Sequence, residues 1–172
     1  MLVMSLGKRM VSFIAYQAAW VACVQWAGEG RLTLGLLAVA ALMCLNLVLA
    51  ADRRAVIALA VIAGIIGLVV DSSLGLMGVF SFSFAPPWIV ALWMAFGSIL
   101  PAFLSWLAGR YVWAAVLGAV AAPISYYGGV RLGAVAMPNP LFSLAIIALA
   151  WAAIMPLLLR ITERLSRSPR TA

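Results

Sequence analysis

Six apolar stretches, each about long enough to cross the hydrocarbon of a bilayer, follow one another along this chain with almost nothing between them. They cover residues 10–27, 32–51, 55–78, 87–107, 111–132 and 141–159, and the breaks include Gly28-Glu-Gly-Arg31, Asp52-Arg-Arg54, Gly109-Arg110 and Met137-Pro-Asn-Pro140. Inside hydrocarbon a backbone must satisfy its polar groups within its own segment, so runs of this length read as helices. Breaks this short make consecutive helices antiparallel neighbours. The predicted fold class is an all-α membrane protein, a compact bundle of six transmembrane helices with short loops, forming one integral membrane domain over residues 1–172. With 67% hydrophobic and 9% charged residues, no stretch has the composition of a soluble domain. The longest break, residues 80–87, alternates Phe with Ser and ends in Pro86-Pro87. It reads as an interfacial loop, with a re-entrant segment as the alternative.

The basic residues orient the bundle. Lys8, Arg9, Arg53, Arg54, Arg110, Arg160, Arg164, Arg167 and Arg170 fall on one side, nine in all, against Arg31 and Arg131 on the other, making the eleven in the chain. An excess of Lys and Arg marks the cytoplasmic side, so both termini are expected there. Lys8 and Arg9 before an apolar run also resemble the start of a signal peptide, but Gln17 interrupts that run, and an uncleaved first helix is expected. The net charge of +7 therefore speaks for orientation in a membrane, and no nucleic-acid partner is expected. Arg160-Ile-Thr-Glu-Arg164 is expected to continue the sixth helix into the cytoplasm, and residues 160–172 form a basic cytoplasmic tail whose partner would be anionic headgroups. The chain has no histidine, which excludes imidazole bases and histidine-bound metals. Cys23 and Cys44 lie in separate apolar runs and read as small buried hydrophobes. No metal and no cofactor is called for.

In hydrocarbon the informative residues are the polar ones, because a buried charge is costly unless paired or hydrated. Asp71 lies about 16 residues into the third span, roughly 24 Å deep at the helical rise, and Arg131 about 20 residues into the fifth, roughly 30 Å deep. The depths overlap within the reach of an arginine, so an Asp71–Arg131 ion pair is expected, with Ser72, Tyr126 and Tyr127 adding hydrogen bonds. The plain alternative is that the fifth helix ends near Arg131 and its side chain snorkels to the headgroups. Pro123 frees a carbonyl one turn earlier, and Gly128, Gly129 and Gly133 bare the surface around Arg131. Gly129 and Gly133 also form a GxxxG spacing, whose ordinary role is helix packing. Gln17 and Asn46 fall at similar depths, roughly 10 Å, on neighbouring antiparallel spans and are expected to bond to each other as structural glue. Of the seven tryptophans, Trp26, Trp88, Trp106 and Trp113 fit the aromatic belt. Trp20, Trp93 and Trp151 lie deeper, where core or lipid-facing packing is the ordinary role and lining a cavity the alternative.

Several of these residues recur in a pattern: Tyr16-Gln17-x-x-Trp20 in the first span, Asp71 and Gly75 in the third, Pro87-Trp88 and Leu92-Trp93-x-x-Phe96 in the fourth, and Pro123-Ile-Ser-Tyr126 with Gly129-x-Arg131-Leu-Gly133-Ala134 in the fifth. Over nearly the whole chain this resembles a family of small bacterial inner-membrane proteins catalogued as a domain of unknown function (domain of unknown function 2878). The resemblance implies a bacterial inner membrane and a compact multi-helix domain, and it implies no reaction. Ala15-x-x-x-Ala19 and Ala18-x-x-x-Ala22 are also similar to the docking face of the substrate-binding subunits of energy-coupling vitamin transporters. That likeness would make the chain one subunit of a larger transporter.

Three functional readings stay open. The first is a binding or transport module with a polar pocket in the outer leaflet, built from Asp71, Ser72, Tyr126, Tyr127 and Arg131, for a lipid or a small or amphipathic anionic ligand. The second is a membrane-embedded lipid-modifying enzyme with Asp71 as acid or base. The third is an accessory or assembly subunit that meets a protein partner, or a second copy of itself, through its small-residue surfaces. Membrane lipids are partners in each.

Overall fold

The apolar runs fold as helices in a computed structural model that describes residues 5–103 and 105–167. Six helices follow in chain order: α1 Leu6–Gly28, α2 Leu32–Leu49, α3 Arg53–Leu76, α4 Pro87–Phe103, α5 Tyr111–Arg131 and α6 Pro140–Arg167, with a short 3-10 turn, Ser105–Leu107, after α4. No strand occurs among the described residues. All but α4 are long and apolar enough to cross a membrane, and α4 is an apolar helix of 17 residues. Of the expected fourth span, 87–107, α4 is described to Phe103, two residues past Pro101, and Ser105–Leu107 form the 3-10 turn. As expected, the basic stretch from Arg160 continues α6, which runs to Arg167; Arg170 lies outside the described residues.

Local chemistry sets the helix ends. Asp52 caps α3, its carboxylate accepting from Ala55 N at 3.1 Å. Asn139 precedes Pro140 at the first position of α6, where the missing proline N–H has no intrahelical partner to lose. At the other ends, α3 and α5 stop alike: Gly78 and Gly133 take positive φ, 76° and 73°, and the next residue donates back across the turn, Val79 N to Leu74 O and Ala134 N to Gly129 O, both 3.0 Å. Gly133 is therefore a helix stop outside α5. Nothing lies within 4 Å of where its Cβ would be, so Gly129 and Gly133 do not form a GxxxG packing face.

The helices pair as three hairpins, α1–α2, α3–α4 and α5–α6, with α4 also against α1, α2 and α6. Small residues set the closest approaches. A Cβ on Gly97 would strike the Leu59 carbonyl, and one on Gly118 would strike that of Trp151. Residues 77–86 are not helical: they cover one end of the bundle with Val79 and Phe80 buried. Ser81 N donates to Ala136 O at 3.0 Å, Ser143 Oγ to Val79 O at 2.8 Å, and Ala85 N to Ser72 Oγ at 3.1 Å. At the opposite end Glu163 accepts from Gly109 N and the Tyr111 hydroxyl, at 2.8 and 2.9 Å. Arg160 lies over the Tyr111 ring, 4.6 Å from its centre.

Asn46 is buried, but its partners are not the expected one. Ser12 Oγ donates to Asn46 Oδ1 at 2.6 Å, Asn46 Nδ2 donates to Ser98 Oγ at 2.8 Å, and Ser98 Oγ donates on to Ala95 O at 2.6 Å, joining α1, α2 and α4. Gln17 is five residues past Ser12, on an exposed face of α1. The depth argument placed Gln17 and Asn46 at one level but could not see which face of α1 meets α2. Asn46→Ala is expected to lower unfolding stability in detergent by about 1–2 kcal/mol, since two buried hydroxyls lose a partner. Gln17→Leu should leave it within about 0.5 kcal/mol. Denaturant titration of both variants checks the contrast.

Candidate functional site

Asp71 is fully buried in the last turns of α3, so its carboxylate needs donors from elsewhere in the protein. Two arrive. Trp93 Nε1 of α4 donates to Oδ2 at 2.8 Å, and the Tyr126 hydroxyl of α5 reaches both oxygens, at 2.7 and 2.8 Å. Hydrogen bonds to a carboxylate are among the stronger neutral-donor interactions, on the order of 1.5–3 kcal/mol each. The indole reaches the acid because Gly67, one turn before Asp71, has no side chain: a Cβ there would overlap the Trp93 ring. The glycine is the seat and the aspartate the anchor.

Around this centre the aromatic rings form a connected wall. Trp93 stacks on Trp151 with ring centres 4.5 Å apart, Phe96 meets Trp151 edge-on at 5.7 Å, and Tyr16 lies 6.2 Å from Phe96. On the other side Tyr126 stacks on Phe80 at 5.4 Å and Phe80 on Phe82 at 4.9 Å, which ties the covering loop to the same centre. Trp151 Nε1 is buried and makes no hydrogen bond; it lies within electrostatic reach of the Tyr126 hydroxyl without the geometry of a bond.

The wall borders a cavity of about 620 Å³ between α1 and α5, with α4 and α6 behind it. Ten aromatic side chains line it, Trp20, Trp93, Tyr126 and Trp151 among them, and no charged residue does among the described residues. Its mouth lies on the outer surface of the bundle, where the lining residues Trp106 and Ile124 are exposed. The lining on α1 runs from Phe13 to Val24, about 16 Å of helix at 1.5 Å per residue. Phe13 stacks on Phe103 at 4.2 Å near one end, and the Trp20 ring lies 2.9 Å from where a Gly128 Cβ would be near the other.

The structure brings Asp71 and Tyr126 together and does not bring Arg131 to them. Arg131 is exposed in the last turn of α5, with no ion pair to Asp71; an ion pair elsewhere joins Arg31 to Glu29 at 3.7 Å. There its charge faces the carbonyl end of the helix, a favourable place for a cation. Tyr127 is exposed, Ser72 accepts from Ala85 N, and neither lines the cavity. Gly129 and Gln17 do line it. Sequence reasoning sought an opposite charge for Asp71 and so passed over Trp93, although Gly67 at one helical turn from the acid was the available signal.

Fold and site together define an all-helical protein, built as a multi-pass membrane protein is built, with an aromatic lateral cleft over a buried carboxylate. The chain belongs to the family described as "Protein of unknown function (DUF2878)", whose model matches residues 9–157. No curated protein and no solved structure matches it.

Trp93 and Trp151 provide a paired test. Trp93→Phe keeps a ring but removes a donor from a buried carboxylate, and a loss of about 1–3 kcal/mol is expected in detergent unfolding. Trp151→Phe keeps the stacking and removes a donor that has no partner, so stability should stay within about 0.5 kcal/mol or rise.

Proposed function

We propose that this protein binds an amphipathic molecule dissolved in the bilayer, taking its hydrocarbon or ring portion sideways into the cleft between α1 and α5. The observation that carries this reading is the cavity itself: about 620 Å³, largely aromatic, and open on the face of the bundle that lipid would touch. A ligand entering from water would pass over exposed apolar surface first; one already in the membrane meets the mouth directly. Pockets of this volume with an apolar lining and a few polar groups suit small-molecule binding. Asp71 acts here as a positioning residue. Shielded from the cavity behind Trp93 and Tyr126, it holds those rings in place and is poorly placed to exchange protons with a ligand, which weighs against the acid–base role of the lipid-enzyme reading.

In this reading the protein sits in a bacterial inner membrane, and the basic end of the bundle, with Lys8, Arg53, Arg54, Arg110 and Arg160, faces the cytoplasm. The cleft then lies towards the opposite leaflet at its Trp20 end. Binding alone serves a carrier, a sensor or one subunit of a transporter.

Native mass spectrometry of the gently extracted chain tests the proposal. The wild type is expected to retain a co-purifying lipid or metabolite at about one per chain. Ala121→Phe, which puts a ring into the mouth without touching Asp71, should lose it while remaining folded. Equal retention by the two proteins would place the bound molecule outside the cleft and overturn the reading.

A further inference from the structure

A carboxamide and an aliphatic hydroxyl facing this cavity have nothing to bond to, as is also true of the Tyr16 hydroxyl and Trp151 Nε1 in its lining. Gln17 of α1 and Ser125 of α5 both line it, and neither makes a hydrogen bond or ion pair among the described residues. Several other serine and threonine hydroxyls in the helices are bonded. Ser73 and Thr162 turn their hydroxyls back to carbonyls four residues earlier, at 2.8 Å each. Ser12, Ser98 and Ser143 are bonded as well. Ser125 has the same helical option towards Ala121 and does not take it.

Helix register places the two side chains at one level. Trp20 of α1 meets Gly128 of α5, and Gly28 meets Leu132 to Ala134 further on, so α1 and α5 run in the same direction. Gln17 and Ser125 each lie three residues before the Trp20–Gly128 contact, hence about 4.5 Å back along the axes and on the same faces. A carboxamide and a hydroxyl thus flank the mouth of an otherwise apolar slot. Within a membrane, water is scarce and a free amide is costly, so a partner that fits must bring its own donor and acceptor.

The charges nearby indicate what kind of head that partner carries. The lining holds no cation among the described residues, so an anionic head would be desolvated there without a counter-charge. Resting on the lateral-cleft reading above, we infer that the cleft selects amphiphiles with an uncharged, hydroxyl- or carbonyl-bearing head, held between Gln17 and Ser125, with the chain along the aromatic wall. Arg131, two residues past Gly129 at the rim, is the group an anionic head would use instead, so the headgroup is the variable to change.

Quenching of tryptophan fluorescence by brominated amphiphiles tests this in the full-length protein in maltoside micelles. The probes share one dibromostearoyl chain and differ in the head: the monoglyceride, the free acid at alkaline pH where it is ionised, and the acylglycerol phosphate. Ala121→Phe, with its mouth filled, reports quenching of the belt tryptophans alone and is subtracted. The monoglyceride is expected to half-saturate the remaining quenching at a mole fraction at least tenfold below either anion. Gln17→Leu with Ser125→Ala should reduce that preference to less than about threefold, as two uncharged hydrogen bonds are lost. Ser125→Thr, which keeps the hydroxyl, should retain it; circular dichroism melting confirms that each variant is folded. Equal or tighter binding of either anion, or a preference unchanged in the double variant, overturns the inference and leaves the cleft as a binding site. Quenching identical in wild type and Ala121→Phe for all three probes removes the cleft itself.

Discussion

A carboxylate held among apolar helices is stable only where donors converge on it, and Asp71 draws them from two different helices. Trp93 and Tyr126 bind its oxygens from α4 and α5, so one side chain of α3 fixes the relative placement of three elements. The direction of each bond also fixes the rotation of a ring. With the Trp93 indole turned towards Asp71, its face is presented to Trp151; with the Tyr126 hydroxyl drawn inward, its ring lies against Phe80. The aromatic wall is a consequence of how one buried acid is satisfied.

Small residues supply the space this arrangement requires. Gly67 admits the indole, Gly97 brings α4 against α3, and Gly118 brings α5 against α6. The pairing of α1 with α5 is much looser. They touch near Trp20 and Gly128 and again near Gly28, and below those contacts they part to leave the cleft. Meanwhile α1 is fastened to α2 and α4 by the Ser12–Asn46–Ser98 chain, which keeps it from closing over the opening. Tight packing on three sides and a spare contact on the fourth make a lateral pocket.

The spans were legible because hydrocarbon imposes one simple rule on length and polarity, and the observed helices begin and end within a few residues of the apolar runs, with α6 running on through its basic stretch. Asp71 was equally legible, since a lone acid far inside a span demands compensation. Its partner was not. Depth along a helix can be counted from a sequence, but azimuth cannot be fixed until the helices are placed, and an indole or phenol donor carries no charge to draw attention. Arg131 misled for the same reason: the sequence placed it at the end of the fifth span, where it is, but could not show that its side chain is exposed there rather than turned to Asp71. The same blindness to azimuth paired Gln17 with Asn46, whereas Ser12, on the face of α1 that meets α2, holds that place. The cavity arises where four helices meet and leaves no mark in any one of them.

Whether neutral donors or the arginine compensate Asp71 is read most directly from two double-mutant cycles of unfolding free energy, one joining Asp71→Asn to Trp93→Phe and the other joining Asp71→Asn to Arg131→Gln. A coupling of about 1–3 kcal/mol in the first and none beyond about 0.5 kcal/mol in the second is expected from the geometry. Coupling confined to the Arg131 cycle would contradict it, and with it the origin of the aromatic wall.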